Sequence, residues 1–253
     1  MGNVKCVFCG VTRNRAKEHL WPVWLQQFLE GGSLLRTETH HAISGHAVSQ
    51  RRLENGALVL GQVCEACNGG WMSQLEQRAA PILKALLAEP GALAKNIEIS
   101  EATILATWAY KTAIVRNLGT NYRAIVPPAH FKALYEGSLP PGLFVDLAVD
   151  PAHQTLGAVQ SQTASGMLAS GDEAALEASK ACFYNIVLGV GPLLFRVVHF
   201  PLLDYEVRTA LAHGRTAFRL HPSANAGNVP EGCIVSGLYD FETATFFETR
   251  KDT

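Results

Sequence analysis

Val63-Cys64-Glu65-Ala66-Cys67-Asn68-Gly69-Gly70-Trp71-Met72 is the stretch around which this 253-residue chain is organised. Two residues between Cys64 and Cys67 let both thiolates reach one tetrahedral ion at about 2.3 Å, so the pair forms half of a metal site. A second pair with the same spacing, Cys6-Val7-Phe8-Cys9, stands near the start and is followed by Gly10, which permits the tight turn of a knuckle. Four thiolates in two knuckles make a closed structural site of the zinc type. The alternative is a pair of redox or coincidental Cys-x-x-Cys motifs. The 54 residues between the knuckles, 10 to 63, far exceed the spacing of short zinc ribbons. The loop that the metal closes therefore holds further structure, and it contains the dipeptide Glu18-His19.

Apolar residues make up 48% of the chain and charged residues 17%, a balance that suits a compact fold and excludes a disordered one. This length accommodates one large domain or two smaller ones. No apolar run reaches the about 18 residues of a membrane span, and residues 1–5 carry no hydrophobic signal region. A cytoplasmic protein with no membrane partner is expected. In a reducing compartment metal suits the four paired cysteines, and plain burial suits Cys182 and Cys233, which lie singly in apolar contexts. The net charge of −1 argues against an extended basic surface. Residues up to 80 hold 8 Lys and Arg against 6 Asp and Glu, whereas the remainder holds 13 against 16. Arg13, Arg15 and Lys17 stand just before Glu18-His19, where they read either as phosphate contacts or as an ordinary solvated loop.

A helix is predicted from Pro22, with apolar Val23, Trp24, Phe28 and Leu29 and a stop at Gly31-Gly32. Residues 33–57 are the least patterned, and His40, His41, His46, Arg51 and Arg52 there are either loop residues or a further ligand or phosphate contact. A short strand at 58–63 leads into the second knuckle. Trp71, Leu75, Ala79, Ile82, Leu83 and Leu86 recur at helical spacing, with a break expected at Pro81. Pro90-Gly91 marks a turn and a boundary between domains 1–89 and 90–253. Beyond it, Ser100-Glu101 reads as the cap of a helix with Ile104, Leu105, Trp108, Thr112 and Val115 on one side. A short helix follows from Pro127-Pro128 to Tyr135. Strands are predicted at 143–149, 155–163, 182–190 and 193–200, the last two joined by the hairpin sequence Gly189-Val190-Gly191-Pro192. A helix at 203–213, a loop at 223–230 and strands at 233–239 and 243–247 complete an α+β pattern.

The order Cys6-x-x-Cys9, Glu18-His19, Cys64-x-x-Cys67-Asn68 resembles the HNH nucleases of the ββα-metal type, in the form where two zinc knuckles brace a hairpin and a helix. Glu18-His19-Leu20-Trp21-Pro22-Val23-Trp24 and Cys67-Asn68-Gly69-Gly70-Trp71-Met72-Ser73-Gln74-Leu75-Glu76 carry the likeness, which covers roughly the first 85 residues. The resemblance implies a zinc-stapled ββα-metal module at 1–89, followed by a mixed helical and strand-rich domain at 90–253. It also implies an endonuclease that hydrolyses nucleic-acid phosphodiester bonds, DNA ahead of RNA. His19 matches the general base. Glu18 and Asn68 match ligands of a catalytic Mg²⁺ or other divalent ion, and Cys6, Cys9, Cys64 and Cys67 match the structural Zn²⁺ ligands. Asn55 is the nearest candidate for the family's middle Asn, and the long segment between His19 and Cys64 requires an insertion in the hairpin. Two other readings are a zinc-stapled nucleic-acid-binding or adaptor module that does not cleave, and a zinc site that is pure scaffold for a C-terminal domain binding a protein or small ligand.

Overall fold

The computed structural model describes residues 2–29, 36–41, 47–53, 59–89, 96–119, 125–161, 182–209, 217–222, 227–228, 238, 241 and 245–249. A hairpin of β1 (Asn3–Lys5) and β2 (Thr12–Asn14) is followed by β3 (Glu18–His19), α1 (Val23–Phe28), β4 (Arg36–His41), β5 (Ala47–Leu53) and β6 (Val59–Leu60). One turn of helix, α2 (Glu65–Cys67), runs through Asn68–Met72, kinked at Gly70, into α3 (Ser73–Ala88). Then come β7 (Asn96–Ile97), α4 (Ile99–Leu118) and α5 (Pro128–Tyr135). The rest is strand: β8 (Leu143–Val149), β9 (Leu156–Ser161), β10 (Tyr184–Val190), β11 (Leu193–His199), β12 (Tyr205–Thr209), β13 (Phe218–His221), β14 (Gly227–Asn228) and β15 (Thr245–Thr249). The class is α+β.

The main sheet has seven strands in the order β13-β8-β11-β10-β9-β4-β5, antiparallel throughout except where β4 runs parallel to β9. Side chains alternate across a strand. Leu143, Val145, Leu147 and Val149 of β8 therefore face one core, while Phe144 and Ala148 enter two smaller clusters on the opposite face. Every residue of β8, β10 and β11 is buried. α4 crosses the first face and packs on its other side against α3. Covered on both sides, α4 is buried around nearly its whole circumference, as a helix with little polar face must be.

Several elements differ from their sequence patterns for identifiable reasons. Glu98, not Ser100, caps α4, because Glu98 and Glu101 exchange the two bonds of a capping box. α3 runs through Pro81 unbroken, since Pro81 and Gln77 both face solvent and water can bond the carbonyl that proline leaves unpaired. The helix expected at 203–213 is instead strand β12, paired with β15; Tyr205 and Val207 are buried at period two between the less buried Glu206 and Arg208. The unpatterned stretch 33–57 supplies β4 and β5, which extend the sheet built by the second half of the chain. One continuous core runs from Cys6 to Leu220 and includes the α3 stripe, so the expected boundary at 89/90 does not separate two cores. Asn55, His46, Pro90-Gly91, the strand expected from Cys233 and the stop at Gly31-Gly32 lie outside the described residues; α1 is capped by Pro22 and ends at Leu29. No described helix is long and apolar enough to cross a membrane.

Candidate metal centre and adjoining cleft

The first knuckle is the turn of the β1–β2 hairpin. Asn3 faces Asn14 and Lys5 faces Thr12, Cys6 N–H donates to Val11 O at 3.1 Å, and Gly10, at φ +71, donates to Cys6 O at 2.9 Å. The second knuckle is the start of α2, docked by Val7 N–H on Gln62 O at 3.1 Å and Ala16 N–H on Val63 O at 2.9 Å. The result brings all four sulfurs within 4.8 Å of one another, with Cys6 Sγ 3.7 Å from Cys67 Sγ and Cys9 Sγ 3.8 Å from Cys64 Sγ. Sulfurs on a tetrahedron about 2.3 Å from its centre lie about 3.8 Å apart. A disulfide requires about 2.05 Å. The four thiols thus have metal-site geometry and are not bonded to each other. Burial pushes the Cys64 and Cys67 thiols up, whereas backbone donors from Cys9, Cys64 and Phe8 outweigh burial at Cys6 and bring it down to about 7. Four such groups ionise together only around a cation. Phe8, between the first two cysteines, packs edge-on against Trp71 at 5.2 Å and Phe131 of α5 at 5.5 Å, tying the knuckle to the second half of the chain.

β3 pairs antiparallel with β6, Glu18 opposite Leu60 and His19 opposite Val59, and α1, β4 and β5 form the insertion between them. The chain then passes through the second knuckle into the helix. Asn68 donates its backbone N–H to Cys64 O at 3.0 Å and opens a kinked turn, within which Gly70 leaves helical geometry at ψ −112. Between β3 and this turn lies an open cleft of about 300 Å³. Glu18, His19 and Asn68 all line it, together with Lys17, Ser73 and Glu76. His19 is half-buried, and its Nδ1 is shielded from solvent with no hydrogen-bond partner among the described residues.

Glu18 is buried beneath the cleft. Burial raises its carboxyl above the usual range; the Lys111 ammonium, 3.9 Å away, pulls it back, and Glu76 adds to the rise. Lys111, from the middle of α4, is almost wholly buried and lies 2.5 Å from Glu76 Oε1, while Trp108 Nε1 donates to Glu76 Oε2 at 2.9 Å. Burial alone would lower the Lys111 ammonium, yet the carboxylates of Glu76 and Glu18 outweigh it and hold the group above its ordinary value. The sequence patterns missed Glu76 and Lys111. A signal existed: position 111 falls three residues after Trp108 and seven after Ile104, on the apolar side of α4, and a lysine there needs a buried partner.

Arg13, Arg15 and Lys17 are all exposed; Lys17 lines the cleft, and Arg13 borders a separate hollow with Asn3, Asn14 and Glu65. His40 and His41 fall in β4 and Arg51 and Arg52 in β5, their side chains lying outside the described residues. Cys182 is free and half-buried. Comparison with family models, with curated proteins and with solved structures gives no match.

Proposed function

We propose that the protein is a metal-dependent endonuclease of the HNH type, acting on nucleic-acid phosphodiester bonds, DNA ahead of RNA, from a reducing cytoplasmic setting. The observation that carries this reading is the meeting of Glu18, His19 and Asn68 in one cleft beside a four-thiol cluster. We assign Zn²⁺ to Cys6, Cys9, Cys64 and Cys67, since the sulfur separations match its tetrahedron and the site leaves no open position. Its role is to fix β3 against the start of the helix.

The second cation is Mg²⁺ or a similar hard ion, for which a carboxylate and an amide oxygen are suitable donors. Glu18 and Asn68 would hold it, and the roughly 300 Å³ of cleft leaves room for its waters. When bound, it supplies Lewis-acid stabilisation to the phosphate oxygens and the leaving oxygen. His19, whose Nδ1 has no hydrogen-bond partner among the described residues, takes a proton from the attacking water. The water oxygen bonds to phosphorus, the P–O3′ bond breaks, and the released 3′ oxygen takes up a proton to leave a 5′-phosphate. Lys17 at the rim, with Arg13 of β2 and Arg15 just after it, meets backbone phosphates and sets the substrate strand over the cleft.

A plasmid-nicking assay with zinc-loaded protein and added Mg²⁺ or Mn²⁺ tests this. Nicking that stops with His19→Ala is the expected result. Salt-sensitive binding of DNA without any cutting by the wild type would favour the non-cleaving module.

A further inference from the structure

We propose that Glu76 is a positioning residue that holds the buried Lys111 ammonium away from Glu18, so that the Glu18 carboxylate stays open to a cation in the cleft. This rests on the reading of Glu18 as a ligand. Lys111 has a side chain only 1% exposed, so water cannot solvate its charge and a carboxylate must. Among the described residues two carboxylates are within reach, Glu76 at 2.5 Å and Glu18 at 3.9 Å. The ammonium is committed to the nearer one.

Trp108 explains why the nearer one is Glu76. Trp108 and Lys111 lie three residues apart on α4 and present neighbouring donors on one side of it. The indole N–H binds Oε2 of Glu76 and the ammonium binds Oε1, so both carboxylate oxygens are turned toward α4. Glu76 therefore lines the cleft as a clamp on Lys111 and not as a ligand. An ammonium and a divalent ion compete for the same carboxylate oxygens. Without the clamp, Glu18 is the remaining anion in reach, and Lys111 would close it. The second part of the chain contributes to the site by this route, through α4.

The test is Mn²⁺ binding to full-length, zinc-loaded protein, read by electron paramagnetic resonance of free Mn²⁺ without nucleic acid or turnover. Glu18→Gln identifies the site by abolishing tight binding. Glu76→Gln is expected to weaken Mn²⁺ at least about tenfold, because the freed ammonium moves onto Glu18. Adding Lys111→Met to Glu76→Gln should restore affinity to within about threefold of wild type, since the competitor is gone. A double variant as weak as Glu76→Gln overturns the proposal, because it makes Glu76 itself a ligand. Wild-type affinity in Glu76→Gln overturns it also. If Glu76→Gln does not fold, Glu76→Asp, which keeps the charge but shortens the clamp, carries the same expectation of loss and of rescue by Lys111→Met. Mn²⁺ binding that ignores Glu18→Gln, or its absence in the wild type, overturns the ligand reading of Glu18 itself and the clamp with it.

Discussion

His19 and Asn68 share a cleft but should fail differently. His19 Nδ1 has no partner among the described residues, so truncation to Ala removes no described hydrogen bond at that nitrogen. His19→Ala should leave zinc content and melting temperature near wild type while cleavage falls by about 10² to 10⁴. Asn68→Ala weakens the hold on the cation, so its loss of rate should be partly recovered at higher Mg²⁺ or Mn²⁺. Steady-state nicking rates across a metal titration distinguish the two. Equal cutting by His19→Ala and wild type at matched metal and pH would remove His19 from the chemistry. These residues were legible because His19 directly follows Glu18 and Asn68 directly follows Cys67, in the order that carries the resemblance. Glu76 and Lys111 were not, because 35 positions separate them and only the packing of α3 on α4 makes them neighbours.

Among the elements, a charged row on the far face of the sheet sets the acid limb of stability. Arg196 of β11, Asp146 of β8 and Arg219 of β13 stand in register on three adjacent strands. Arg196 Nη2 donates to Asp146 Oδ2 at 2.5 Å, Arg219 Nε donates to Oδ1, and Arg219 Nη2 reaches Val207 O at 2.6 Å. Burial pushes the Asp146 carboxyl up, but the guanidinium groups of Arg219 and Arg196 outweigh it and hold the group below the usual carboxylate range. A depressed folded-state pKa contributes stability above the unfolded value and loses it as pH falls through the folded one. Asp146→Asn removes the carboxylate that both guanidinium groups share and should cost about 3–5 kcal/mol at pH 7. The gap between variant and wild type should narrow as pH drops below about 4, measured by urea unfolding. An equal gap at both pH values would mean that the row acts by packing alone. The apolar runs of β8, β10 and β11 make these strands readable, whereas the five residues of β12 fit either the helical or the strand period. β4 is polar throughout and β5 has no alternating apolar pattern; β4 joins the sheet through β9, a partner more than a hundred residues away, and β5 through β4.

At the scale of the whole molecule, the knuckles and the sheet belong to one core, although the Pro90-Gly91 turn and the change to a strand-rich pattern point to two. The physical reason is that the α3 stripe has α4 to cover it, Phe8 reaches Phe131, and β4 joins β9. Each contact crosses the expected boundary. Zinc binding of the structural kind contributes on the order of 10 kcal/mol or more of folding free energy. In a shared core that contribution supports the sheet as well as the knuckles. Elemental analysis should therefore give about one zinc per chain, and chelation or Cys64→Ser should destabilise the chain as a unit. Three tryptophans, Trp21, Trp24 and Trp71, precede residue 89, and Trp108 lies beyond it in α4. Their combined fluorescence reports on both parts, while far-UV circular dichroism weighs the sheet. The two unfolding curves should coincide, with and without chelator, and both should shift to lower denaturant when zinc is removed. Residues 1–89 expressed alone should expose the α3 stripe and aggregate. Two separated transitions, or a stable proteolytic fragment beginning near residue 90, would show that the knuckles fold apart from the sheet and that α4 reaches the cleft only by docking.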